Sequence, residues 1–63
     1  MGKSYEVRCG KRLVSLQHAH SAREAVIEYL RSMGCRDSDM TTLSRNSLGW
    51  CGAVYRAVPL GSE

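Results

Sequence analysis

Leu48-Gly49-Trp50-Cys51-Gly52-Ala53-Val54-Tyr55-Arg56-Ala57-Val58 is the stretch on which the fold turns, because it is apolar on both sides. Taken as one strand of period two, it puts Trp50, Val54 and Val58 on one face and Cys51, Ala53, Tyr55 and Ala57 on the other. Only glycines and Arg56 interrupt that pattern. A strand with two apolar faces is what a sheet covered on both sides produces. Gly52 is the place for a bulge that would shift the register.

Upstream of this stretch, Met40 to Ser44 reads as a short strand, followed by a turn at Arg45-Asn46-Ser47. Before it stands the polar turn Arg36-Asp37-Ser38-Asp39. The clearest signal lies further back, in Ser21-Ala22-Arg23-Glu24. This is a capping box, with the Ser21 hydroxyl taking an amide of the first turn and Glu24 reaching back to the Ser21 amide. At ~100° per residue Ala22, Ala25, Val26, Tyr29, Leu30 and Met33 share one helix face, and Gly34 supplies the left-handed residue that ends it. Ile27 falls on the flank, the one large aliphatic the helix is expected to leave partly exposed.

Tyr5-Glu6-Val7-Arg8-Cys9 alternates with period two, and Gly10-Lys11 fits a two-residue II′ turn with glycine first. That turn pairs Cys9 with Arg12, Val7 with Val14 and Tyr5 with Leu16. The opposite face then carries Glu6, Arg8, Leu13, Ser15 and Gln17. The element order is therefore ββαββ, an α+β domain over residues 1–60, with residues 61–63 read as a loose tail. The expected architecture is a four-stranded mixed sheet with the helix on one face, the first and last strands parallel in the middle. This layout resembles the β-grasp fold of ubiquitin-like and immunoglobulin-binding domains. The resemblance is one of topology over the whole chain, and no functional motif of either family accompanies it.

A chain of 63 residues holds one small domain and buries only about 60% of its unfolded surface. At roughly 0.05–0.15 kcal/mol per residue, its stability is expected to be about 3–9 kcal/mol. No uncharged apolar run approaches the ~20 residues of a membrane span, and no signal segment opens the chain. Glu6 stands where a myristoylation motif needs Ser or Thr. An odd set of three cysteines, Cys9, Cys35 and Cys51, points to reduced, buried thiols in a cytoplasm.

Candidate chemistry thins out when placed on this layout. His18-Ala19-His20 with the cysteines suggests zinc, but His18 and Cys9 lie at opposite ends of the hairpin, roughly 20 Å apart at ~3.4 Å per residue. No metal and no other cofactor is expected. Gly2-Lys3-Ser4 lacks the glycine-rich loop of a phosphate cradle, and no nucleophile has a base in reach. The protein is therefore expected to bind rather than to catalyse.

The net charge of +3 raises nucleic acid, through Lys11, Arg12, Arg45 and Arg56. These charges scatter over two ends of the predicted sheet, and no aromatic–basic platform joins them. One helix covers only one side of a sheet, so the surplus apolar residues of the last strand favour protein contact through the open face. Homodimerisation is its simplest form. The residues expected to carry that contact are Arg8, Leu13, Gln17 and Tyr55, with Ile27 on the helix.

Overall fold

The structure, a computed structural model, describes residues 2–60. The tail expected at residues 61–63 lies outside the described residues. The first hairpin joins β1 (Lys3–Cys9) to β2 (Arg12–Ala19) through Gly10-Lys11, and Gly10 adopts the positive φ of 65° that a II′ turn demands. Cys9 faces Arg12, as the turn dictates.

From there the register departs from simple alternation. A bulge opposite Val7 and Arg8 leaves Arg8 facing Leu13, Val7 facing Ser15, Glu6 facing Leu16 and Tyr5 facing Gln17. The cause is one of parity. Arg12 is fixed on the helix side by the turn, and Ala19 is buried there where the chain enters the helix. The two are an odd number of residues apart, so one extra residue must be absorbed between them.

The helix α1 (Ala22–Ser32) buries Ala25, Val26 and Leu30 on the face its spacing predicts. The Ser21 hydroxyl accepts from the Glu24 amide at 3.2 Å. Glu24 reaches back one residue further than a standard capping box, accepting from the His20 amide at 3.1 Å. At the other end Gly34, at φ 92°, donates to the Arg31 carbonyl, and Cys35 donates to that of Leu30. This is a Schellman motif whose apolar contact is Cys35 against Leu30, both buried. Met33, expected on the buried face, is exposed because the helix has already ended there.

Arg31 then clamps the short 3₁₀ turn Asp37–Asp39, its Nε and Nη2 donating to the two oxygens of Asp37 at 3.0 and 2.7 Å. That guanidinium holds the Asp37 carboxyl below the usual carboxylate range. A carboxyl depressed in the folded state adds stability above its unfolded pKa and loses it as pH falls through the folded value. Asp37→Asn should therefore be slightly less stable than the parent near neutrality, the margin being small because the pair is exposed, and acid melts should show the two converging as pH falls below ~4.

The last apolar stretch does not form one strand. β3 (Thr41–Ser44), β4 (Ser47–Trp50) and β5 (Ala53–Pro59) follow one another as antiparallel hairpins. Cys51 and Gly52 both have positive φ, 52° and 77°, which makes them a two-residue turn of type I′. The order is therefore ββαβββ, and the sheet has five antiparallel strands in the order β2-β1-β5-β4-β3. This corrects both the strand count and the expected mixed sheet. β5 reverses direction at Cys51-Gly52 and so lies antiparallel to β1, and the β-grasp resemblance loses its parallel central pair.

The helix lies across one side of this sheet, over a core of Tyr5, Val7, Ala19, Ala25, Val26, Leu30, Cys35, Leu48 and Ala57. Among the described residues, no helix is long and apolar enough to cross a membrane.

Candidate functional site

Residues directly opposite each other on neighbouring strands point to the same side of a sheet. Tracing the pairs outward from buried Val7 and Ala57 assigns Lys3, Tyr5, Cys9, Ser15, Gln17, Tyr55 and Leu48 to the helix side. The other side carries Ser4, Glu6 and Arg8 from β1, Leu13, Leu16 and His18 from β2, Val54, Arg56 and Val58 from β5, and Ser47 and Gly49 from β4. Leu43 joins them, its Cδ1 lying 3.5 Å from where a Gly49 side chain would begin.

Two of the residues expected on this open face are there, Arg8 and Leu13. Gln17 and Tyr55 are not. The bulge in β2 turns Gln17 to the helix side, and the Cys51-Gly52 turn does the same for Tyr55. Tyr55 packs against Tyr29 and Trp50, with ring centroids 5.9 and 6.5 Å away, and burial pushes its hydroxyl pKa up. Ile27 is half-buried, as its place on the helix flank predicts, and packs against the core, so it stands on the helix and away from the open face. In exchange the open face gains Leu16, Val54 and Leu43, which period-two reading placed inside or left unassigned. A parity check on β2 and the X-Gly signal at Cys51-Gly52 would have found Leu16 and Val54, whereas Leu43 stands at the irregularity between Thr42 and Ser44.

Leu13, Leu16, Leu43 and Val54 are between 48% and 60% exposed. They form two apolar patches, Leu13 and Leu16 on β2 and Val54 with Leu43 toward β3. A charged strip separates them. Arg8 donates from Nε and Nη2 to the same oxygen of Glu6, at 3.1 and 2.9 Å. Arg56 lies directly across from Arg8 on β5 and has no ion pair among the described residues. Like charges set opposite each other on neighbouring strands weaken a sheet. Replacing Arg56 by Glu is therefore expected to raise stability by ~0.2–1 kcal/mol, read as a higher urea midpoint at unchanged slope.

The basic residues weighed for nucleic acid do not converge. Lys11 and Arg12 sit at the first hairpin turn and Arg56 in the middle of the open face. Arg45 lines a shallow groove beside the helix N-terminus with Arg23, whose Nη1 is already donating to the Thr42 hydroxyl at 2.8 Å.

The thiols divide three ways: Cys35 buried, Cys9 half-buried and Cys51 exposed at the I′ turn, which corrects the expectation that all are buried. Burial raises the Cys35 pKa, and its Sγ donates to the Arg36 carbonyl, so this thiol is shielded rather than activated. His18 lies beside the Ser4 hydroxyl at the far end of β2, and among the described residues no three potential metal ligands gather. Comparison of the chain with protein-family models, curated proteins and solved structures finds no match.

Proposed function

We propose that the protein is a binding module, not an enzyme, whose open sheet face takes a protein partner, a second copy of the chain being one such partner. The observation that supports this is the gathering of Leu13, Leu16, Leu43 and Val54, each about half exposed, on the side of the sheet that the helix does not cover. Scattered single apolar residues are ordinary on a small surface, whereas grouped ones rimmed by polar side chains mark contact sites. The interleaved Glu6, Arg8 and Arg56 give such a face orientation and specificity. Three free thiols support a reducing, cytoplasmic setting.

Amide chemical-shift mapping of the labelled protein tests this reading. The arms are a dilution series, a panel of blocked peptides alternating leucine with glutamate, glutamine or lysine, and a short DNA duplex. Perturbation of Leu13, Leu16 and Val54 amides by a peptide or by self-concentration supports it. Perturbation by the duplex alone, weakening as salt rises, contradicts it in favour of phosphate binding. Silence of the open face in every arm also contradicts it.

A further inference from the structure

The charges on the open face specify the partner further, an inference that rests on the protein-binding role just proposed. Arg8 and Arg56 face each other across β1 and β5, the two strands with neighbours on both sides nearest the first hairpin. One carboxylate, Glu6, shares this side with them and pairs with Arg8 alone, both donors of Arg8 converging on a single one of its oxygens. Summed over the strand residues that point to this side, one acid against two arginines leaves the face net positive. The like-charge pair costs stability where it stands, and a neutral or acidic residue at either position would remove that cost. What would offset it is a second carboxylate brought by a partner.

We infer that the occupant of the open face is an extended acidic–apolar protein segment, a carboxylate of which seats between Arg8 and Arg56 while its aliphatic side chains rest on Leu13 and Leu16 to one side and Val54 and Leu43 to the other. Guanidinium groups are suited to this role because their planar forks match a carboxylate bidentately. The flanking aliphatics set the ligand apart from a phosphate backbone, which offers nothing for them to bury.

A second copy fits the face less well. Laid on itself, a net positive face meets a net positive face, bringing four arginines against two glutamates. Size points the same way. At ~4.8 Å between strands and ~3.4 Å per residue, the sheet face projects about 500 Å². A standard stable interface takes ~800 Å² from each partner. An area of that size suits a strand-like segment better than a second folded domain.

The peptide panel decides the matter when combined with Arg56→Glu and Arg56→Gln. The leucine–glutamate peptide is expected to shift the amides of Arg8, Arg56, Leu13 and Leu16, to bind at least tenfold more tightly than the leucine–lysine peptide, and to weaken as salt rises. Arg56→Glu should weaken it at least tenfold and Arg56→Gln by less, with both variants folded as judged by their amide spectra. If all three peptides bind the face alike, or if concentration alone perturbs it, the acidic-partner inference is overturned while the binding face stands. If no peptide and no dilution touches the face, both fail.

Discussion

Leu48→Ala is expected to remove more than half of the stability of the fold. Leu48 is 1% exposed, sits on β4 opposite Tyr55 and belongs to the core that the helix covers. Truncating a buried leucine costs ~2–5 kcal/mol, the lost burial plus the cavity left behind. Against a total of about 3–9 kcal/mol for a chain this short, the middle of each range makes that loss more than half of what holds the fold. Leu16→Ala removes the same atoms from the open face and should change stability by no more than ~0.5 kcal/mol. Urea titrations followed by circular dichroism would show the first variant with a midpoint less than half the parent's and the second with a midpoint close to the parent's. Equal losses at the two sites would mean that the faces have been assigned wrongly.

Gly52→Val should produce the second large effect. Cys51 and Gly52 both occupy the left-handed region, which a type I′ turn requires and a β-branched residue resists. The cost is ~1–2 kcal/mol for the left-handed conformation alone. Cys51→Asn should move stability the other way by a few tenths of a kcal/mol, because asparagine tolerates that region better than cysteine. The pair of signs is diagnostic. In one continuous strand valine would be neutral or favourable at position 52 and asparagine unfavourable at 51. Thermal melts of both variants distinguish the two arrangements.

That turn also shows where the sequence stops being legible. The helix was readable because its signals are local: Ser21 and Glu24 at the start and Gly34 at the end make contacts within a few residues. Gly10-Lys11 was readable for the same reason, glycine first in a two-residue turn between alternating runs. Cys51-Gly52 is chemically a poorer signal, since cysteine is not among the residues that favour positive φ, and the turn forms because Leu48 and Trp50 can then share a core side with Ala53, Tyr55 and Ala57. The bulge in β2 has no local mark at all. It follows from the need to hold Arg12 at the turn and Ala19 under the helix on the same side, a constraint between two ends of a strand. Both misses moved residues between faces, so Gln17 and Tyr55 left the candidate surface and Leu16 and Val54 joined it. The open face itself remains, because a single helix covers one side of the sheet only.

The most direct test of the open face as the binding surface is the double variant Leu13→Ser, Leu16→Ser, assayed for stability and for the leucine–glutamate peptide together. If these leucines serve a partner rather than the core, the urea midpoint should stay within ~0.5 kcal/mol of the parent and peptide binding should fall at least tenfold. A variant that melts early, or one that is as stable as the parent and binds the peptide just as well, would contradict the account.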